Sequence, residues 1–90
     1  MKTELSPNFQ QRLKDIKRSN PKLFQKILKQ LKIFQINHKH PSLRKHKLSG
    51  HLKDTRSVSA GMKIRILYNL TPEGTAYFFD IGTHDEVYKK

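Results

Sequence analysis

The sequence predicts a single α+β domain: an N-terminal helical hairpin packed on a small, mostly antiparallel β-sheet, with a short helical turn near the C-terminal end. Three observations carry this expectation. Two apolar stripes at helical spacing follow one another in residues 9–34, each opened by a polar residue and a proline. Residues 62–68 alternate apolar and polar with period two. Beyond them, Thr71-Pro72-Glu73-Gly74 is a turn signal ahead of a second apolar run. Ninety residues allow one such domain, spanning 1–90, and not two.

Taken in order, residues 2–5 suit a short edge strand. Ser6-Pro7 reads as a helix start, with serine as N-cap and proline at the first helical position. Phe9, Leu13 and Ile16 form one stripe, and Lys17 and Arg18 close that helix favourably against its dipole. Asn20-Pro21 repeats the start signal at once. Phe24, Ile27, Leu28, Leu31 and Phe34 make the buried stripe of the second helix, flanked by Leu23 and Ile33, so the pair forms an αα-hairpin. From Gln35 to Lys53 the pattern breaks into an irregular, basic connection that Leu43, Leu48 and Leu52 anchor. Strands follow at Arg56–Ala60, with Gly61 as turn or bulge, and at Met62–Tyr68. In the second, Met62, Ile64, Ile66 and Tyr68 face one side, and Lys63, Arg65 and Leu67 the other. Thr75 to Ile81 is apolar on both faces except at Asp80, which suits a strand inside the sheet.

Composition narrows the function. There is no cysteine, hence no disulfide, no thiolate zinc site and no cysteine nucleophile. No apolar run is long enough to span a bilayer, and Met1-Lys2-Thr3-Glu4 opens no signal-peptide core, so the expected location is the cytoplasm. The net charge of +12 argues for a polyanionic partner, either nucleic acid or an acidic protein. The excess sits in residues 1–53, which hold fourteen Lys and Arg against Glu4 and Asp15; residues 54–90 are neutral. A solvated helical face is the plainer reading of those lysines.

Gly82-Thr83-His84-Asp85-Glu86-Val87-Tyr88 is the densest stretch. Thr83 and Glu86 have capping-box spacing, so one helical turn can begin at His84 and set His84 and Tyr88 on one side. A helix start favours neutral imidazole, able to accept a proton, whereas Asp85 and Glu86 push the other way. An exposed histidine at a tidy chain end fits the same residues. His38, His40, His46 and His51 cluster upstream, but without cysteine or an adjacent carboxylate they suit polar loop residues or phosphate contacts better than a metal. The sequence holds no Gly-rich phosphate loop, G-x-S-x-G or H-E-x-x-H.

His46-Lys47-Leu48-Ser49-Gly50, Arg65-Ile66-Leu67-Tyr68 and Ile81 to Tyr88, in this order behind a helical hairpin, resemble the RelE/ParE superfamily of type II toxins. The similarity is closer to its YafQ/RelE-like ribosome-dependent mRNA endonucleases and covers essentially the whole chain. It implies a toxin that cuts mRNA in the ribosomal A site and is neutralised by a cognate antitoxin, with ribosomal RNA and mRNA as further partners and no cofactor or membrane. His84 falls on the general acid/base histidine, His46 on the histidine of the H-x-L-x-G stretch, and Arg65 on a phosphate-binding arginine. Tyr88 matches an aromatic that orients or stacks on mRNA, and Arg56 a basic residue at the start of the central strand. The chain departs from the YafQ-like pattern at Ser59 and Lys63, where a histidine and an acid are expected, and at Asp80, where an arginine is.

The implied reaction needs a base at the ribose 2′-hydroxyl, an acid at the leaving 5′-oxygen and cations at the phosphorus. His84 and His46 are the available titrating pair; Lys45, Lys47, Arg56, Lys63 and Arg65 supply the positive field, with Lys63 and Arg65 on the non-core face. Tyr88 offers a stacking surface. The lysines of the two helices can dock on ribosomal RNA phosphates, or an acidic antitoxin can cover them. A ParE-like toxin that blocks a topoisomerase through protein contacts, or an RNA-binding module without catalysis, are the rival readings; His46, His84 and Tyr88 favour the nuclease over the first.

Overall fold

The computed structural model describes residues 1–48, 54–61 and 63–83. Its elements are β1 (Thr3–Leu5), α1 (Pro7–Ser19), α2 (Pro21–Ile36), a 3-10 turn (Pro41–Leu43), β2 (His46–Lys47), β3 (Thr55–Ser59), β4 (Ile64–Leu70) and β5 (Ala76–Thr83). Each helix begins where the sequence marks it. The Ser6 hydroxyl accepts the Phe9 N–H at 3.0 Å, and the Asn20 side chain accepts the Leu23 N–H at 3.2 Å. Asn20 also donates its own N–H to the Ile16 carbonyl, so one residue ends α1 and caps α2. That double use leaves no room for a loop and folds the helices back on each other.

Helix α2 buries Ile27 and Phe34, with Leu23, Phe24, Leu31 and Ile33 packed partly against the core. Leu28, expected in that stripe, is instead 39% exposed. At 3.6 residues per turn it lies about 100° round the helix from Ile27, past the edge of the covered sector. Gln30, on the covered side, donates to the Ser59 carbonyl at 2.8 Å and to the Ser42 carbonyl at 3.1 Å, which ties α2 to β3 and to the 3-10 turn.

The five strands lie in the order β1-β5-β4-β3-β2. The antiparallel meander expected from the sequence is β3-β4-β5, and β1 joins it as a parallel edge strand beside β5. A parallel neighbour is open to β1 because the helical layer lies between the two strands in the chain, and parallel pairs need such a crossover. The doubly apolar β5 is accordingly an interior strand.

The stretch after α2 is more regular than expected. Two residues of it form β2, with His46 opposite Ser57 and Lys47 opposite Arg56. Leu43 and Leu48 are buried and hold the segment in place as anticipated; Leu52 lies outside the described residues. The turns also follow the sequence. Gly61 (φ 91°) and Gly74 (φ 85°) occupy the left-handed conformations that join β3 to β4 and β4 to β5.

Ring packing forms the centre of the core. Phe34 meets Tyr68 and Phe78 edge-on, with centroids 5.1 and 5.3 Å apart, and Phe9 and Tyr68 lie 5.8 and 5.0 Å from Phe78. One irregularity interrupts the β4–β5 ladder. Leu67 pairs with Asp80 and Tyr68 with Phe78, so Phe79 is an extra residue. Phe79 packs with Leu48 and Leu67 in a second, smaller cluster. No helix among the described residues is long and apolar enough to cross a membrane.

Replacing Phe34 by alanine is expected to cost about 3–5 kcal/mol in equilibrium unfolding by urea. The same change at Ile36, two residues on and 81% exposed, should stay within about 0.5 kcal/mol.

Candidate functional site

Pairing fixes which side chains share a face of the sheet, because residues opposite one another in a ladder project to the same side. One row runs Lys47–Arg56–Tyr68–Phe78, and Tyr68 and Phe78 belong to the core under the helices. The next row runs His46–Ser57–Leu67–Asp80, followed two residues along by Ser59–Arg65–Gly82. These latter rows occupy the far face, turned away from the helices. The residues expected to form one positive field are thus divided. His46 and Arg65 share the far face, whereas Lys45, Lys47 and Arg56 belong to the helix side.

On the far face Arg65 is held in place. Its Nη1 donates to the Ser59 hydroxyl at 2.9 Å, and the ladder sets it opposite Gly82, two residues before His84. The guanidinium is half-buried, and its remaining donors are directed by this anchor. His46 is exposed, two strands away across β3. Strand spacing puts their Cα atoms about 12 Å apart, a gap that a nucleotide can bridge. Lys63 is exposed and precedes β4, so the ladder does not assign it to the face of Arg65. His84, Tyr88 and the expected helical turn lie outside the described residues, as does His51.

At the other corner, where α2 gives way to β2, cations crowd together. Lys45 Nζ lies 3.3 Å from His38 Nδ1 and 5.9 Å from the centroid of the Phe34 ring. Partial burial pushes the Lys45 ammonium below its ordinary pKa, and Arg56 and Lys39 push it further the same way. The imidazole of His38 is likewise lowered, by burial first and then by Lys45 and Lys39. Tyr68 beneath them is raised by burial, which outweighs the opposing effect of Arg56. Residue spacing did not single out His38 as the partner of Lys45; that pairing depends on β2, too short to show a period in the sequence.

Near the end of β5, Arg12 of α1 donates to the Ile81 carbonyl and stands 4.0 Å from the buried Asp80 carboxylate. Asp80 in turn accepts the Ile81 N–H at 2.9 Å. The acid at this position, a departure from the pattern that the sequence resembles, is therefore an anchor between helix and sheet. No group of three or more metal-ligating side chains occurs among the described residues.

Neither a protein-family model nor a curated protein matches the sequence. Solved structures do match the fold. A YoeB/ParE toxin from Agrobacterium tumefaciens superposes with a TM-score of 0.77 at 14% identity, over 93% of this chain and 99% of that one. A chain of the E. coli DinJ–YafQ complex gives 0.76 at 19% identity over 96% of each chain. One from the Staphylococcus aureus YoeB–YefM complex gives 0.74 at 20% identity, over 93% of this chain and 97% of that one. The fold is that of the YoeB and YafQ structures. The α+β architecture implied by the family resemblance is thus the observed one, and in this YafQ-like frame Arg65 and His46 share the face away from the hairpin.

The lowered His38 pKa has a consequence for stability. Unfolded, the ring takes up its proton near pH 6.5, whereas folded it does so only at lower pH. Between those values the unfolded chain binds more protons, so stability falls as the pH drops below about 6.5. Urea titrations at stepped pH should show that His38→Gln shallows this acid-side slope.

Proposed function

We propose that the protein is the toxin of a type II toxin–antitoxin pair and cuts mRNA in the ribosomal A site. The observation that supports this most is the register of Arg65. In a YafQ-like fold, the anchored guanidinium stands across from Gly82, on the strand that leads to His84, and on the same face as His46. Those are the groups that transesterification of RNA requires: a cation for the phosphate and two imidazoles able to exchange protons.

In this reading the ribose 2′-oxygen attacks the adjacent phosphorus while one histidine takes its proton. The bond from phosphorus to the 5′-oxygen breaks, and the other histidine protonates the leaving oxygen. The products are a 2′,3′-cyclic phosphate and a 5′-hydroxyl, and no metal is needed for the balance. Arg65 stabilises the charge that gathers on the phosphoryl oxygens, and Tyr88 stacks on a base. The basic helices dock on ribosomal RNA, and an acidic antitoxin neutralises the protein, as the solved YoeB–YefM and DinJ–YafQ complexes suggest by analogy. The likeness to a YoeB/ParE toxin keeps a second reading in view, a protein that poisons a topoisomerase without cleaving RNA.

Mapping mRNA 5′ ends after induced expression separates the two. Cuts confined to translated frames support the nuclease, and intact mRNA with stalled replication supports the ParE-like protein. His84→Ala is expected to lower cleavage by about 10²–10⁴-fold and relieve growth arrest while the domain stays folded. Arg65→Ala and Tyr88→Ala should do so to a smaller extent. Full toxicity of a folded His84→Ala protein would remove the acid/base assignment.

A further inference from the structure

The corner between α2 and β2 carries charge that the far face does not explain. A cleft of about 290 Å³ opens there, lined by His38, Lys39, His40, Pro41, Arg44 and Lys45. Arg56 of β3 acts on Lys45 from the sheet side, and the α-amino group of Met1 acts on His38 from the N-terminal side. The lysines and arginine that line the cleft, and the Arg56 and Met1 α-amino charges that act on Lys45 and His38, are all positive. Among the described residues the ion pair is Arg12–Asp80, so no described carboxylate neutralises the corner. Bringing like charges together opposes folding unless a ligand of opposite sign repays it.

A second observation concerns Arg44. It ends the 3-10 turn in the left-handed conformation, φ 46° and ψ 51°, where glycine is at ease and a long side chain is not. Glycine would serve the backbone better, so what arginine adds here is its guanidinium. The histidines are also preset. His40 Nδ1 accepts the Ser42 N–H at 3.1 Å, leaving Nε2 to donate. His38 Nδ1 accepts from Lys45, and an anion that draws the lysine away frees that nitrogen for a proton.

We propose that this cleft is a phosphate-binding site for RNA, in which Lys39, Arg44 and Lys45 grip one backbone phosphodiester and His38 takes up a proton as it binds. Donors converging from several sides on a small cleft suit a compact tetrahedral anion whose oxygens can be shared among them. An acidic peptide spreads its carboxylates along a chain and is matched better by the rows of lysines on the helices. Lys45 meets the Phe34 ring on the helix side of the sheet, whereas His46 and Arg65 project from the far face, and Arg44 also lines a second cleft with Ser42, Ser59 and Gly61. The inference rests on the RNA-binding part of the proposed function and is independent of cleavage.

The test uses the whole protein without ribosomes and a fluorescent single-stranded RNA, 2′-O-methylated throughout so that it cannot be cut. Anisotropy should show binding that tightens from pH 8 to pH 6, by up to about tenfold per pH unit for one linked proton. Lys45→Gln and Arg44→Gly should each weaken binding and lower the slope of log affinity against log salt by about 0.7. Arg44→Gly relieves the backbone, so its thermal midpoint should not fall, and loss of folding cannot explain its weaker binding. His38→Gln should flatten the pH dependence. Wild-type affinity in both Lys45→Gln and Arg44→Gly would overturn the site, and an unaltered pH response in His38→Gln would overturn the proton uptake. Inorganic phosphate that shifts the His38 ring signals by NMR, with RNA affinity unmoved by the variants, would reduce the cleft to a free-anion site and overturn its assignment to RNA. An oligoglutamate peptide that outcompetes RNA only when Lys45 is present would reassign it to an acidic protein partner.

Discussion

The edge-on seat of Phe34 against Tyr68 and Phe78 is the contact on which the rest of the structure depends. It joins the end of α2 to β4 and β5 of the meander, and Phe9 brings α1 to the same place through Phe78. The outer side of that ring is equally occupied, with His38 6.1 Å from its centroid and the Lys45 ammonium 5.9 Å away. One aromatic side chain therefore links the hydrophobic core to the basic corner. A cation held near an aromatic face, partly out of water, loses some of its hydration. The lowered pKa of Lys45 follows from packing as much as from neighbouring charge.

From that seat the strands take their sides, and period two does the sorting. Lys47 and Arg56 come to rest over the core face beside Tyr68, while His46 and Arg65, their neighbours in sequence or across a strand, project the other way. A highly charged small protein is easily pictured as one continuous positive surface. Here the sheet separates two polar regions that differ in character. Among the described residues, the far face presents an anchored guanidinium beside Ser59, with His46 exposed on β2 and Leu67 packed with Leu48 and Phe79. The corner presents several cations and two imidazoles round a cleft. The first suits a reacting phosphate, where one directed charge is worth more than many loose ones. The second suits holding a strand in place.

The helices and the meander were legible in the sequence because their signals are local. Ser6-Pro7 and Asn20-Pro21 mark helix starts through their own side chains, and the alternation of residues 64–68 needs nothing from elsewhere. What escaped depends on partners distant in the chain. Two polar residues cannot show a period, so β2 exists only through Ser57 and Arg56 opposite it. Without β2, nothing in the sequence says that Lys45 and His46 belong to opposite faces. Leu28 was misplaced for a related reason: its hydrophobicity matches the stripe, but the width of the covered sector is set by the sheet beneath. The parallel edge strand β1 was visible as a strand and not as a partner of β5.

The departures from the YafQ-like pattern gain meaning from their contacts. Ser59, where a histidine is expected, is buried and accepts a hydrogen bond from Arg65; a serine is short enough to fit beneath the guanidinium of its cross-strand neighbour. Asp80, where an arginine is expected, lies buried between the Ile81 N–H and Arg12, and Arg12 reaches the Ile81 carbonyl as well. Arg12 and the acid beside it thus tie α1 to β5 near its end. Neither position is vacant of purpose. Both act on the orientation of a neighbour: Ser59 holds the guanidinium of Arg65, and Asp80 lies between the Ile81 N–H and Arg12 at the end of β5.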